Sequence, residues 1–540
     1  MSTTLPAFHP TEIQTRFLYP FFFDRGKAAE ASDSLSHKTI IGRDGKTIGV
    51  WECSHPPALY QEELLDHVDK FLFHDTERGC RYLRISNAVS SRWFNKLHVV
   101  LAEPKPAKQK ESNGIALDSG GEVLRSIVWP VSLAPLASME IFLTNYGVGV
   151  FSISLIPNPP ALDFQNATLF NYKLAQLRPQ VAARLGIPHP SQNTKLWEQM
   201  PAVQKGKIAP APSVDAPVSQ RLGCAGGTFL LGELVSEVVL NPLQGLRIQP
   251  IQKQFSVYTV VRFGDEVDFE QVAIVRALSS FLSGIAQVEE PSHAGSLAGI
   301  IGATNAILNR RHSVAVGLLG MAHIVSDQPA PELSFNEQRV PRISLKYFVP
   351  YLAALLQRAS LHRSIGDASE LVLNQRQDMV GELRKLRKHL LEFAVEGYFP
   401  EISHREVIDR YYRLAQEGLG VRRAYEEVKR AISDIDAQFS ADHQEELREM
   451  MAHNAKATRM LQEQMSQNLQ AMVDVQKAVG WIEVFFASVY LAELWHLFAS
   501  EIDSPHKWIP YGVVTFAVVG FSAAAAIVKP WKHSKKSSRH

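Results

Sequence analysis

The chain has few cysteines and almost no net charge, and each shortage excludes a class of protein. Its three cysteines, Cys53, Cys80 and Cys224, lie far apart and form no CxxC pair. A disulfide scaffold or a zinc ribbon is therefore not expected, and reduced thiols in the cytosol fit this usage. The formal net charge is only +1, which lacks the electrostatic footprint of a nucleic-acid-binding protein. We expect no nucleic-acid partner.

Catalytic motifs are also missing. The sequence contains no P-loop, GxSxG, HExxH or kinase signature, and the glycine-rich segment at 222–228 lacks the lysine of a phosphate loop. We predict that the protein is not an enzyme and binds no cofactor tightly. Residues 1–17 show no basic stretch followed by an apolar core. That pattern predicts an N-terminus without a signal peptide, on the cytosolic side.

Two apolar segments lie near the carboxyl end, at 478–500 and 509–528. Each has close to the roughly 20 residues that a helix needs to cross a hydrocarbon core. A basic tail, 529–540, follows, and positive charge next to a span favours the cytosolic side. The pattern predicts a multi-pass protein of the inner (plasma) membrane, with the lipid bilayer as a partner and both termini cytosolic.

The rest of the chain divides by character. Residues 1–343 mix strand-like runs with turns, which predicts a cytosolic α/β domain with loops near 103–122 and 186–221. The runs at 139–144 and 147–156 predict a hairpin. Residues 344–477 contain good helix formers and predict a helical stalk. The expected fold is thus an α/β domain, then long antiparallel helices, then a two-span transmembrane hairpin, assembled as a membrane oligomer.

Proline and glycine almost disappear from the last part of the stalk. After Val421 the next proline is Pro505, and the only glycine between them is Gly480. This predicts an unbroken helix of about eighty residues, on the order of 120 Å long.

Apolar residues recur every seven positions along this predicted helix. Two rows interleave, one formed by Met451, Thr458, Met465, Met472, Val479 and Phe486, and the other by Leu461, Asn468, Val475, Ile482 and Val489. Such a repeat packs helices side by side. The helix could pack on its own chain's hairpin, but a third row beside the first two (Leu469, Gln476, Glu483, Tyr490) favours a bundle of several identical helices.

This order of parts resembles the CorA family of divalent-cation transporters. A local match supports it, because Pro505, Lys507, Trp508, Tyr511 and Gly512 are similar to the pattern at the entrance of that family's second span. The resemblance implies a homo-oligomer, a pentamer in that family, whose first spans line a pore. It also implies a divalent cation, magnesium or a similar ion, as substrate or gating ligand.

The chain departs from the family at its signature. Where the family has Gly-Met-Asn, this sequence has Phe498-Ala499-Ser500. Ser500 offers a hydroxyl, a smaller and weaker replacement for the amide. Glu501 and Asp503 remain at the predicted pore mouth as oxygen groups for hard cations.

Several side chains are candidates for ion handling. The predicted pore residues are Met472, Val479, Glu483, Phe486, Tyr490 and Ser500. Glu483 could form a cation-concentrating ring or reach the headgroups. Asp434, Asp436 and Asp442 could bind divalent ions between subunits, although a solvated helix face is the default interpretation.

The leading prediction is a CorA-like homo-oligomeric channel or transporter for a divalent cation. A ligand-triggered membrane effector is the alternative, as in divergent CorA-like proteins of type III CRISPR antiviral defence, with a small-molecule trigger on the cytosolic domain. A membrane-anchored scaffold is the third possibility.

Overall fold

The computed structural model describes most of the chain from residue 10 to residue 500. The described residues are 10–41, 47–73, 81–94, 97–103, 125–157, 164–178, 182–186, 228–263, 267, 269, 282–288, 304–327, 338–374, 379–500, 512, 513 and 520. The chain forms two compact units, Met1–Ile435 and Asp436–His540.

The described elements mix strands with helices until residue 326 and are helical after residue 338. The strands are β1 Pro10–Phe22, β2 Thr39–Ile41, β3 Thr47–Gly49, β4 Trp51–Cys53, β5 Arg81–Ile85, β6 Leu97–Glu103, β7 Arg125–Leu133, β8 Met139–Leu143, β9 Val148–Pro157, β10 Arg184–Gly186, β11 Thr228–Leu230, β12 Gln249–Pro250, β13 Ser256–Phe263, β14 Thr304–Asn309, β15 His312–Val316 and β16 Gly320–Ser326. The α-helices are α1 Ala28–Ser36, α2 Ala58–Gln61, α3 Asp66–Phe73, α4 Asn87–Trp93, α5 Phe164–Ala175, α6 Leu231–Val235, α7 Arg339–Lys346, α8 Phe348–Asn374, α9 Met379–Glu396, α10 Glu406–Gly418 and α11 Val421–Ser500. A π-helical turn at Ser236–Leu240 and a 3₁₀ helix at Asn241–Leu246 follow α6.

One large sheet organises the first unit. Its strand order is β11-β10-β6-β7-β9-β1-β13-β16-β15-β14, with β8, β5 and β4 continuing from β9 and with β12 on β1. The pairings are antiparallel except that β13 and β16 are parallel. Strand β1 lies in the middle, between β9 and β13, and both faces of the sheet are covered.

Side-chain alternation along β1 divides the core between these two faces. Phe17, Tyr19 and Phe21 belong to one buried cluster, together with α1, α4 and α5. Leu18 belongs to the other, which includes residues of α7, α8, α10 and the start of α11. Successive side chains of a strand point to opposite faces, so an apolar strand with both faces buried supplies both layers.

The predicted hairpin at 139–156 is confirmed. Strands β8 and β9 pair antiparallel, with Met139 opposite Ile153 and Leu143 opposite Gly149. Gly147 closes the turn with a φ of 74°, a left-handed conformation that glycine adopts without a Cβ clash. Strands β15 and β16 are buried along their whole length.

The predicted transmembrane hairpin is wrong. Among the residues that the structure describes, no helix is long and apolar enough to cross a membrane. The same finding contradicts the predicted membrane oligomer, the ion-transport role that depends on a membrane span and the multi-pass location in the inner membrane. The first predicted span, 478–500, is helical as part of α11, but Glu483 and Glu493 place two carboxylates in it, and such charges are costly in lipid. The second, 509–528, lies outside the described residues except for Gly512, Val513 and Gly520.

Candidate functional site

Helix α11 begins in the core of the first unit. Gly420 precedes it with a φ of 67°, and this left-handed residue separates α10 from α11. Val421, Val428 and Ile432 are buried in the same cluster as α8 and α10. Their spacing of seven and four residues keeps them on one face of the helix, which fixes the first turns of α11.

Most of the described side chains of α11 in the second unit are exposed, including the large apolar ones. Met451, Met465 and Met472 are 68%, 65% and 65% exposed, and Leu461 and Val475 are 67% and 62% exposed. Scattered exposed apolar residues are ordinary, whereas a continuous row marks an interaction surface. These residues belong to the two heptad rows of the sequence, so their exposure is periodic.

We call this surface the α11 seam. It comprises Met451, Asn454, Thr458, Leu461, Met465, Asn468, Met472, Val475, Val479, Ile482, Phe486 and Val489, all of them exposed or nearly so on the helix. The seam continues a seven-residue repeat over more than five heptads, which is the pattern that packs helices in a coiled coil.

Uncharged residues flank the seam. From 455 to 478 the positions on either side of it are Ala455, Ala457, Gln462, Gln464, Leu469, Ala471, Gln476 and Ala478. Charged side chains lie instead on the opposite face, at Lys456, Glu463 and Lys477. An apolar stripe with neutral flanks and a charged back is the composition of a helix that buries one broad face.

The residues predicted to line a pore lie on this helix. Met472, Val479, Glu483, Phe486 and Tyr490 are exposed on α11. Ser500 is its last residue, and its side chain lies outside the described part. The structure thus places these residues along one helix, and their predicted role in conduction is not tested.

The predicted cation ligands are only partly described. Asp434 is exposed on α11, the side chains of Asp436 and Asp442 are outside the described part of the same helix, and Glu501 and Asp503 lie outside the described residues. Across the described part of the chain, no group of three or more His, Cys, Asp or Glu side chains could hold a metal ion. Divalent-cation binding stays a prediction.

Sequence reasoning missed a buried ion pair in the first unit. Arg16 of β1 donates from Nη1 to Oε2 of Glu140 on β8 over 2.7 Å, and both side chains are fully buried. The hydroxyls of Tyr60 and Tyr82 also donate to this carboxylate, over 2.8 and 2.6 Å. Burial raises the pKa of both tyrosines, and the Glu140 carboxylate raises it further, so both hydroxyls stay protonated as donors.

A second buried network joins the sheet to helix α10. Nε2 of His312 and Nδ1 of His323 are 3.1 Å apart, and the Tyr411 hydroxyl lies 2.9 Å from Nδ1 of His312. Burial lowers the pKa of His323 to about 3. The pKa of His312 is also well below its usual value, through burial, His323 and Arg339. Both imidazoles are therefore neutral at pH 7 and act as hydrogen-bonding groups.

A weak signal for these networks was present in the sequence. Arg16 is the one charged residue in the buried run of β1, and Glu140 and His323 are the charged or titratable residues of strands that are otherwise mostly apolar and buried. Buried charges in proteins are generally paired, so the pattern indicates that a partner exists. It does not identify the partner, because β1 and β8 are more than a hundred residues apart in the chain.

Comparison with known proteins gives no match to a family model, to a curated protein or to a solved structure. The resemblance to the CorA family therefore remains a prediction from the sequence with no family evidence behind it.

Proposed function

We propose that the protein is a homo-oligomeric assembly protein in which helix α11 joins several copies of the chain through the α11 seam. The observation that carries this proposal is the continuous, periodic exposure of apolar side chains from Met451 to Val489. In this role the protein is a scaffold, and each chain contributes one copy of the sheet-containing unit to the assembly.

Burial of the seam would be strongly favourable. Each large apolar side chain moved from water into a packed interior contributes about 1.5–3 kcal/mol. Along the seam, Met465, Met472 and Val479 are 65%, 65% and 47% exposed, so most of this contribution is not yet gained in a single chain. Packing against another helix offers a way to gain it without changing the fold.

An identical helix is the best partner for the seam. Packing of knobs into holes requires the partner to carry the same seven-residue period over the same length, and a second copy of α11 meets that requirement. Like charges beside the seam would repel between identical chains. The flanking positions from Ala455 to Ala478 are uncharged, and Glu483 is the charged flanking residue between Met451 and Val489.

The width of the apolar face favours more than two helices. Leu469, Gln476 and Tyr490 lie in a third row beside the seam, and Leu469 and Tyr490 are 51% and 65% exposed. A two-stranded coiled coil covers a narrow stripe, whereas larger bundles also cover the neighbouring rows. A bundle of three or more helices, such as a pentamer, covers a face of this width.

Charge placed in the seam tests the proposal. Met472→Asp would bury one carboxylate per chain around a common axis, and such unpaired buried charge is strongly destabilising. Gln470→Asp is the matched control, because it places the same charge two residues away on the opposite face of α11. We expect light scattering coupled to size exclusion to give an oligomeric mass for the wild type and for Gln470→Asp, and a monomer for Met472→Asp. A monomeric wild type across accessible concentrations would refute the proposal.

A further inference from the structure

Two asparagines interrupt the apolar row of the α11 seam. Asn454 and Asn468 lie two heptads apart in the row that also contains Leu461, Val475 and Ile482, and both are exposed on α11. The amide of asparagine carries two donors and an acceptor, so burial of this side chain in an interface requires hydrogen-bonding partners. Their position inside an otherwise apolar row therefore limits how copies of the helix can pack.

Resting on the assembly proposed above, we infer that Asn454 and Asn468 form two buried amide layers that hold the copies of α11 parallel and in register. In a parallel, unshifted bundle, every residue of a seam row faces the same residue of the other copies. Asn454 then faces Asn454, and Asn468 faces Asn468. Each amide can donate to the carbonyl oxygen of its neighbour and accept from the next.

Shifted parallel arrangements leave amides unpaired. A shift of one heptad sets Asn454 against Leu461 and Asn468 against Leu461 or Val475. A shift of two heptads matches Asn454 of one chain with Asn468 of its neighbour, but it sets the remaining Asn468 against Ile482 and the remaining Asn454 against Ser440. It also leaves two heptads of the seam unpaired at each end. A buried amide without a partner is unfavourable, so the unshifted register is favoured.

Antiparallel packing is disfavoured for the same reason. It brings this row against the methionine-rich row, so that amides face thioethers and aliphatic groups. One antiparallel alignment would set Asn454 against Thr458, which can accept and donate. The same alignment sets Asn468 against Gln444, so both amides find a polar neighbour, but it also sets Ile482 against Arg430, which places a charge opposite an apolar residue. Between Ala455 and Ala478 no charged residue flanks the seam, so in this stretch the orientation depends on polar groups inside the seam, chiefly the amides of Asn454 and Asn468.

Cysteine cross-linking in the full chain tests the inference. In a background with Cys53, Cys80 and Cys224 replaced by serine, Met451→Cys and Met472→Cys are made separately. Parallel, unshifted packing brings each introduced thiol next to its own equivalents, so mild oxidation should give disulfide-linked dimers in both variants. In an antiparallel pair, a residue meets its own equivalent only at the midpoint of the overlap, so at most one of the two positions could form this disulfide. Gln470→Cys, on the opposite face, is the control and should give at least a several-fold lower yield.

Replacing the amides separates their role from that of the apolar residues. Asn454→Val with Asn468→Val should preserve or strengthen association but allow shifted registers, so the yield of same-position disulfide should fall several-fold. A monomeric wild type would refute the assembly proposal itself. An oligomeric wild type that fails to cross-link at either Met451→Cys or Met472→Cys would refute parallel, in-register packing alone. An unchanged disulfide yield after both valine substitutions would refute the role of the amides.

Discussion

Arg16 and Glu140 form an ion pair of 2.7 Å across the interior of the sheet, although their strands, β1 and β8, are not neighbours. Strand β9 lies between them, with Ser154 opposite Arg16 and Ser152 opposite Glu140. The small serine side chains leave room for the longer ones to meet over β9. The Arg16 guanidinium also lies over the Phe348 ring at 4.3 Å, so the pair ties the sheet to α8.

Removal of one partner of this pair should be costly. Glu140→Gln leaves the Arg16 charge buried without a carboxylate, and we expect a loss of about 3–5 kcal/mol in the free energy of unfolding. Urea denaturation followed by circular dichroism measures it. A loss below about 1 kcal/mol would mean that the charge is not buried as described.

Removal of both partners should cost less than removal of one. Nε and Nη2 of Arg16 have no hydrogen-bond partner among the described residues, so the guanidinium is only partly compensated. Replacement of a buried ion pair by apolar residues of similar size is often neutral or stabilising. We expect Arg16→Met with Glu140→Met to unfold at a higher urea concentration than Glu140→Gln. If Glu140→Gln instead unfolds at the higher urea concentration, the double replacement by methionine costs more stability than the loss of the carboxylate charge alone.

The buried histidines should make stability depend on pH in the acidic range. The pKa of His323 in the folded protein is about 3, below the value of about 6.5 in an unfolded chain. The unfolded state therefore binds protons first, so the stability contributed by neutral His323 is present above pH 6.5 and is lost as the pH falls towards 3. Within that window each such histidine lowers the free energy of unfolding by about 1.4 kcal/mol for each unit that the pH falls.

Urea denaturation between pH 7 and pH 4 measures this slope. His323→Leu removes one titrating group, so its free energy of unfolding should fall less steeply with decreasing pH than that of the wild type, even if it is less stable at pH 7. His453→Gln, at an exposed position on α11, is the matched control for the loss of an imidazole outside the buried network. Equal slopes for all three proteins would show that His323 does not titrate in this way.

Two glycines in the helical part should respond to alanine with opposite signs. Gly420 has a φ of 67°, a conformation that alanine rarely adopts, whereas a Cβ on Gly366 inside α8 would meet nothing within 4 Å. Gly420→Ala should lower the free energy of unfolding by roughly 1 kcal/mol. Gly366→Ala should raise it by about 0.5–1 kcal/mol, because alanine favours the helix. Thermal unfolding of both variants checks the signs.

Local features were predictable from the sequence, and long-range ones were not. The hairpin of β8 and β9 and the uninterrupted helix α11 follow from turn residues and from the lack of proline. The placement of β1 between β9 and β13 depends on partners more than a hundred residues away, which no local pattern encodes. The partner of Arg16 could not be named for the same reason.

The segment at 478–500 shows a different limit of prediction from sequence, which concerns what surrounds a helix. Its helical conformation was predicted correctly, because the residues favour a helix and contain one glycine. Its surroundings were predicted wrongly, because an apolar helix face can be covered by lipid or by protein, and hydropathy does not distinguish these two environments. Glu483 and Glu493 are the residues that oppose a membrane interior, because ionisable groups are costly in lipid.

Two neighbouring apolar residues of α11 provide the sharpest test of the seam. Leu461 lies in the seam and is 67% exposed, while Met460 lies beside it on another face and is 54% exposed. In a single chain both truncations remove a similar exposed group, so Leu461→Ala and Met460→Ala should have similar effects on the folding of the first unit. In the assembly only Leu461 is buried, and its truncation should cost about 2–5 kcal/mol for each packed side chain. Sedimentation over a dilution series should then show Leu461→Ala dissociating at a concentration at least tenfold higher than the wild type and Met460→Ala. Equal dissociation of both variants would mean that the heptad rows do not define the surface along which copies of the protein meet.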